Sequence, residues 1–115
     1  MTYRIDYLEL PSSDSAASRG FFAKAFGWSF TNYGPTYDAI NDAGIDTGIQ
    51  GDASDPSQPK APLPIVRTND LEQAERDVVA AGGVITLAPF DFPGGRRFHF
   101  REPGGSEMAV WIAKE

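Results

Sequence analysis

The sequence contains no cysteine, only one histidine, and no apolar run long enough to cross a membrane. Without cysteine the chain forms no disulfide and carries out no thiolate chemistry. The first residues, MTYRIDYLEL, alternate between polar and apolar types instead of forming the apolar core of a signal peptide. We therefore expect a cytoplasmic protein that neither enters a membrane nor binds to one.

Basic residues are also scarce. The chain has 10 Lys and Arg against 16 Asp and Glu, a net charge of −6, which disfavours nucleic acid as a partner. No nucleophile elbow or phosphate-binding loop is present, so the motifs name no catalytic residue. With 115 residues and 41% hydrophobic content, the chain has the size and composition of one compact domain.

The carboxy-terminal stretch FPGGRRFHFREPGGSEMAVW predicts a β-hairpin around a Pro103–Gly105 turn. A three-residue loop pairs His99 with Ala109 and Arg97 with Trp111. Since side chains alternate between faces of a strand, one face is then apolar and suits a helix-covered core. This face comprises Phe98, Phe100, Met108, Val110 and Ile112. The opposite face carries Arg97, His99, Arg101, Glu107, Ala109 and Trp111.

Hydrophobic periodicity and turn residues predict the other elements. Strands are expected near residues 3–10, 28–32, 36–40, 45–50, 62–68 and 84–87, helices over 14–26 and 71–81, and a loop over 88–95. Ser12 or Ser13 is the expected cap of the first helix, and the sequence Asn69-Asp70-Leu71-Glu72 begins the second. An apolar stripe on the first helix is expected to face the core. It consists of Ala17, Phe21 and Ala25 with Phe22 and Phe26.

The second half of the chain repeats the first. A shift of 56 residues places Asp14 on Asp70 and Gly27 on Gly83, so that the helix boundaries coincide. A shift of 61 residues near the end places Gly44 on Gly105 and Asp38 on His99. Each half therefore reads strand–helix–strand–strand–strand.

Two such βαβββ modules, with the segments YLELPSSDSAASRGFFAKAFGW, VRTNDLEQAERDVVAAGG and FREPGGSEMAVW, resemble the vicinal oxygen chelate superfamily. This superfamily includes glyoxalase I, extradiol dioxygenases, and fosfomycin- and bleomycin-resistance proteins. The resemblance implies an α+β fold in which two tandem modules form a glyoxalase-like curved mixed sheet around a cleft. It implies one domain over residues 1–115, with module one at 1–50, a linker at 51–61 and module two at 62–115. It also implies a homodimer, with the modules paired within a chain or swapped between two.

Metalloenzymes of this superfamily hold a divalent cation with His, Glu or Gln at four strand positions. The resemblance places these positions at Tyr7, Leu63, Gly48 and Ala109. Leu, Gly and Ala offer no donor, and neutral Tyr is a poor one. We therefore expect no metal and no other cofactor.

Eight residues are expected to line the cleft: Tyr7, Glu9, Asp38, Gln50, Arg67, Arg97, His99 and Trp111. His99 could act as a general base or hydrogen-bond a ligand, or it could simply be satisfied by a neighbour, with Asp38 as a conceivable partner. Arg97 could bind a carboxylate or phosphate, or stack on Trp111.

The remaining candidates also have two interpretations each. Arg67 and Glu9 could pair with each other or with a ligand. Tyr7 and Trp111 could stack on a flat or apolar ligand, or serve in ordinary packing between the modules or at a dimer interface. The segment Phe90–Gly95 could be a lid over the cleft, or its phenylalanines could anchor it to the core.

These observations favour a metal-free small-molecule-binding protein of the glyoxalase/bleomycin-resistance type, with an unknown ligand and no assigned catalytic residue. The first alternative is a metal-dependent lyase, isomerase or dioxygenase of the same superfamily. The second is a structural or regulatory module without a ligand.

Overall fold

The computed structural model of the chain describes residues 2–115, which divide into two compact units. The amino-terminal unit is Tyr7–Leu63, and the carboxy-terminal unit combines the residues up to Asp6 with Pro64–Glu115. A single domain over residues 1–115 and a cytoplasmic location both stay predictions.

The described residues form a mixed α+β fold of eight strands and two helices, which confirms the predicted fold class and the βαβββ order of each half. The elements in chain order are β1 (Arg4–Pro11), α1 (Ser15–Phe26), β2 (Ser29–Asn32), β3 (Tyr37–Asn41), β4 (Asp46–Gln50), β5 (Leu63–Arg67), α2 (Leu71–Ala80), β6 (Val84–Phe92), β7 (Gly95–Arg101) and β8 (Glu107–Ala113). Neither helix has the length and hydrophobicity to cross a bilayer.

In the amino-terminal unit the strands lie in the order β2-β3-β4-β1. Strand β1 runs parallel to β4 with Glu9 opposite Gly48, and β3 runs antiparallel to β4 with Asp38 opposite Ile49. The buried apolar residues Ile40 and Ile49 lie on the same face of these strands as Asp38.

Helix α1 differs from its prediction in two respects. Its N-cap is Asp14, whose carboxylate accepts from the Ala17 backbone N–H at 3.0 Å, and not Ser12 or Ser13. The expected burial of its apolar stripe is wrong, because no residue of α1 is buried and Phe21 and Phe26 are 61% and 59% exposed.

In the carboxy-terminal unit the strands lie in the order β5-β8-β7-β6, and the predicted hairpin register is confirmed. Phe98 pairs with Val110 and His99 with Ala109. Helix α2 begins after Asp70, whose carboxylate accepts from the Gln73 backbone N–H at 3.0 Å. The core under α2 joins Leu71, Ala74, Phe98 and Val110, with Val66, Val78, Ile85, Phe100 and Ile112 packed against it.

Strand β6 is longer than predicted and runs to Phe92. Its ladder with β7 is irregular between Ile85 and Leu87 and again before Phe90, then continues to the Phe92–Gly95 pair. The prediction of a loop over residues 88–95 is therefore wrong, because Phe90 and Phe92 belong to a paired strand.

The alignment of the two halves also needs one correction. The ladders place Asp38 opposite Ile49 and Phe98 opposite Val110, so Asp38 corresponds to Phe98 and not to His99. The turn before β8 is one residue longer than the turn before β4. The residue of β7 that corresponds to Asp38 is therefore one position earlier than His99, and its side chain points to the opposite face of the sheet.

Candidate functional site

In the carboxy-terminal unit, one face of the sheet is turned away from α2. Since Phe98 and Val110 point towards the helix, the alternating residues Arg97, His99 and Trp111 point the other way. We call this surface the helix-free face. It contains four of the predicted site residues, because Arg67 pairs with Trp111 and lies on the same face.

Five side chains on the helix-free face form a cation–aromatic cluster: Phe90, Phe92, Arg97, His99 and Trp111. The ring centroids of Phe90 and His99 are 5.9 Å apart, and those of Phe92 and Trp111 are 6.3 Å apart. The Arg97 guanidinium carbon lies 5.4 Å from the Phe90 centroid and 5.6 Å from the Phe92 centroid. These distances suit aromatic packing and cation–π attraction. Phe90 and Phe92 therefore serve as anchors of the cluster.

The outer edge of the cluster is fixed by a carboxylate. The Trp111 indole N–H donates to Asp6 Oδ1 at 2.8 Å, and the Arg67 guanidinium lies 3.7 Å from Asp6 Oδ2. The same guanidinium carbon lies 4.8 Å from the Trp111 ring centroid. The cation stacked on Trp111 is thus Arg67, whereas the sequence suggested Arg97 for that place.

His99 is the chemically unusual member of the cluster. Its side chain is buried, and its Nε2 has no hydrogen-bond partner among residues 2–115. The pKa of His99 is lowered to about 4, mainly by burial and additionally by the Arg97 charge, while Glu107 opposes both. The imidazole is therefore neutral at pH 7 and a weak general base. Its ring nitrogens suit hydrogen bonding to a ligand better than proton abstraction.

The amino-terminal unit has a separate polar cluster formed by Tyr7, Tyr37 and Glu9. The two tyrosine hydroxyls are 2.5 Å apart, and Tyr37 donates to Glu9 Oε1 at 3.3 Å. Burial raises the pKa of Tyr37 strongly, and the negative charge of Glu9 raises it further, so this hydroxyl stays protonated. The pairing of Tyr37 with Gln50 across the β3–β4 hairpin places Tyr37 on this face. A four-residue turn between β3 and β4 in the sequence would have predicted this position of Tyr37.

Gly48 makes this arrangement possible. A Cβ atom at position 48 would overlap the hydroxyls of Tyr37 and Tyr7. The glycine therefore leaves the space in which the two hydroxyls meet.

Asp38 does not join either cluster. Its carboxylate accepts from Arg19 of α1 at 2.7 Å and from the Asn32 side chain at 2.8 Å. The prediction that Asp38 shares a face with Tyr7 and Glu9 is wrong, because neighbouring Tyr37 takes that face and adjacent strand residues point in opposite directions.

Gln50 is buried at the end of β4, where its side-chain oxygen accepts from the Asp52 backbone N–H at 2.5 Å. The Gln58 side chain donates to the Gln50 carbonyl at 3.0 Å. These contacts give Gln50 a role in fixing the segment after β4.

The four positions at which the resemblance places metal ligands carry side chains that do not suit a divalent cation. Gly48 faces two tyrosine hydroxyls, Ala109 lies opposite His99, and Leu63 is an aliphatic side chain. None of the three supplies a donor, and Tyr7 supplies only a neutral hydroxyl. Within residues 2–115, no group of three or more His, Asp or Glu side chains is arranged to hold a metal ion.

Residues 4–110 match the Glyoxalase/Bleomycin resistance protein/Dioxygenase superfamily, and the chain belongs to this superfamily. The match spans both βαβββ repeats.

Among curated proteins, the chain is 29% identical to the anthracycline biosynthesis protein DauV of Streptomyces sp. (strain C5), over 91% of this chain and 45% of the relative. It is 28% identical to DnrV of Streptomyces peucetius, also an anthracycline biosynthesis protein, with the same coverage. The chain thus spans about half the length of these relatives. A superfamily member from Vibrio splendidus 12B01 has the same fold, with a TM-score of 0.71, 19% identity, and coverage of 96% of this chain and 99% of that one.

Proposed function

We propose that this protein binds a flat aromatic small molecule on the helix-free face of its carboxy-terminal unit, without a metal ion. The observation that carries the proposal is His99 Nε2, a buried nitrogen without a hydrogen-bond partner in the described chain. A buried polar atom left unpaired is costly, so its retention calls for an explanation. A hydrogen bond to a ligand supplies one.

The surroundings of His99 support an aromatic ligand. Phe90, Phe92 and Trp111 offer ring faces and edges, and the Arg97 guanidinium lies against two of these rings. Pockets for small molecules commonly combine many apolar contacts with a few polar groups that fix orientation. In this site His99 and Arg97 are the orienting groups.

The curated relatives favour a particular ligand class. DauV and DnrV are named for anthracycline biosynthesis. Anthracyclines, as a chemical class, are largely flat fused-ring compounds with carbonyl and hydroxyl substituents. Such a molecule has the shape to stack on rings and the oxygen atoms to hydrogen-bond an imidazole. We therefore take an anthracycline-like polycyclic aromatic compound as the ligand class.

The metal-free part of the proposal is supported by the donor chemistry at positions 7, 48, 63 and 109. A metal-dependent lyase, isomerase or dioxygenase would need carboxylate or imidazole ligands there. Leu63, Gly48 and Ala109 offer neither, so binding is the function that this chain's residues support best.

The two tryptophans of the chain allow a direct test. Trp111 belongs to the cation–aromatic cluster, whereas Trp28 packs against Phe22 and Phe26 in the other unit. The Trp28→Phe and Trp111→Phe variants therefore each retain one fluorescent reporter. Each is titrated with doxorubicin as the anthracycline probe, and tryptophan emission is corrected for absorption by the probe.

Binding at the proposed site quenches the emission of Trp111 in the Trp28→Phe variant, with saturation. The Trp28 emission of the Trp111→Phe variant changes much less. Equal quenching in both variants, or a linear response without saturation in the Trp28→Phe variant, would contradict the proposed site for this ligand class.

A further inference from the structure

Helix α1 presents an apolar stripe to the surface instead of the core. No residue of α1 is buried, whereas Leu71 and Ala74 of α2 are. Its outward-facing members are Ala17, Phe21 and Ala25, which are spaced four residues apart and therefore lie on one side of the helix. Phe21 is 61% exposed, and Ala17 and Ala25 are exposed as well.

The opposite side of α1 is held by a polar contact. Arg19, two residues before Phe21 and therefore on the far side of the helix, pairs with the buried Asp38 carboxylate at 2.7 Å. Turning the stripe inward would break the Arg19–Asp38 pair and leave a buried carboxylate without its cation. The Arg19–Asp38 pair therefore keeps the stripe on the outer side of the helix.

Gly20 lies beside the stripe and has no structural reason within its own unit. An added Cβ would meet no atom within 4 Å, and the residue does not adopt a positive φ. Glycine inside a helix lowers helix stability. A smooth surface without a side chain is of use where another helix approaches closely.

We propose that the outer face of α1 binds α1 of a second copy of this chain in an antiparallel, two-fold symmetric pair. One register of the two helices matches large side chains with small ones and acidic side chains with basic ones. When Phe21 lies opposite Ala17 of the second copy, each large ring meets a small residue. The same register places Asp14 opposite Lys24 of the second copy, since both pairs are centred on the same point of the helix. Two-fold symmetry repeats each contact.

Charge favours the antiparallel direction in particular. Asp14 caps the amino end of α1 and Lys24 lies in its last turn. Antiparallel packing brings opposite charges together at both ends and aligns the helix dipoles favourably, whereas parallel packing places like charges side by side. The resemblance predicted a homodimer. The outer face of α1 supplies the surface and register of that dimer, whether or not the proposed ligand binds.

Because the chain has no cysteine, single cysteines report the register cleanly. The Ala17→Cys and Phe21→Cys variants are each oxidised alone and as an equal mixture, and covalent dimers are quantified on non-reducing gels. The antiparallel register predicts that the mixture forms the mixed disulfide faster than either variant forms its own. Faster self-linking of the separate variants, or no linking above that of a Val79→Cys control, would overturn the proposal.

A second test measures association without cross-links. Sedimentation equilibrium of the intact chain is expected to show a dimer, and Phe21→Glu should weaken its association by about thirtyfold, as for a central interface residue. Val79→Glu is the matched control, because Val79 is 55% exposed on α2. It should leave the dimer intact. A monomeric wild-type chain at all concentrations, or equal effects of both variants, would contradict the proposal, and circular dichroism checks that each variant is folded.

Discussion

The hydroxyl of Tyr7 lies 2.5 Å from the hydroxyl of Tyr37, in front of a glycine backbone at position 48. Because position 48 of β4 has no side chain, the tyrosines from β1 and β3 can approach each other there. Position 48 is also one at which the resemblance places a metal ligand in related enzymes. A hydroxyl pair occupies the space that such a ligand side chain would need.

Gly48→Ala should destabilise the protein by about 1–3 kcal/mol, as overpacking of a filled site does. The added methyl group would overlap both tyrosine hydroxyls. Urea denaturation measures the free energy of unfolding of each variant.

The control for this prediction is the double variant Gly48→Ala with Tyr37→Phe. It removes the hydroxyl closest to the added methyl group. The double variant should therefore lose less free energy of unfolding than the two single variants lose in sum. Additive costs would show that the hydroxyl pair is not what position 48 accommodates.

His99 should make stability depend on pH in the acid range. The unfolded chain binds a proton at this imidazole near its ordinary pKa of 6.5, whereas the folded chain binds it only near a pKa of about 4. Between these values the unfolded state holds more protons, so lowering the pH from 6.5 to 4 removes up to about 3 kcal/mol of stability. Above pH 7 the imidazole is neutral in both states, so it no longer makes the free energy of unfolding depend on pH.

The His99→Gln variant isolates this contribution, because carboxylates also titrate at low pH. The difference in unfolding free energy between wild type and variant should change with pH only below about pH 6.5. As the only histidine, His99 also gives a single set of imidazole proton resonances, and a titration midpoint near 6.5 would show that it is not held neutral.

Removing the cation from Asp38 should be costly. Arg19→Met takes the cation from the buried Asp38 carboxylate and leaves it the hydrogen bond from Asn32, and we expect a loss of about 2 kcal/mol in the free energy of unfolding. Arg19→Met combined with Asp38→Leu removes the buried charge too and should cost less than Arg19→Met alone. A larger loss in the double variant would indicate that packing around the pair matters more than its charges.

Divalent metal ions should not stabilise the folded chain. Ligands that bind only the native state raise its melting temperature, and positions 48, 63 and 109 offer no donor through which Mn²⁺, Ni²⁺ or Zn²⁺ could do so. Thermal melts with each ion and after EDTA treatment should therefore coincide. Stoichiometric metal in elemental analysis, or a lower melting temperature after chelation, would contradict the metal-free proposal.

Local patterns predicted much of the carboxy-terminal unit. The Pro103–Gly105 turn fixes the loop length, and the alternation of Phe98 and Phe100 with Arg97 and His99 allows only one register with an apolar face. Residues on this hairpin therefore occupy the faces expected of them. Phe90 and Phe92 were less predictable, because Pro89 and Pro93 suggested a loop while the ladder to β7 tolerates the bulges that precede Phe90.

The amino-terminal unit was harder to predict, because one error comes from the length of a turn and another from a contact between distant residues. A one-residue difference in turn length put Asp38 on the wrong face, and the ion pair with Arg19 then set the orientation of α1. The apolar stripe containing Phe21 has the spacing of a core-facing stripe, and spacing alone does not distinguish burial in the same chain from burial against another.

If His99 Nε2 hydrogen-bonds an aromatic ligand on the helix-free face, ¹⁵N NMR of this single histidine observes the bonded atom itself. The Nε2 resonance is followed at pH 7 while doxorubicin is added to the wild-type chain, with the Trp111→Phe variant measured in parallel. We expect a saturable shift of the Nε2 resonance in the wild type that is weaker in the variant. An unchanged Nε2 resonance at probe concentrations that saturate Trp111 quenching would contradict it.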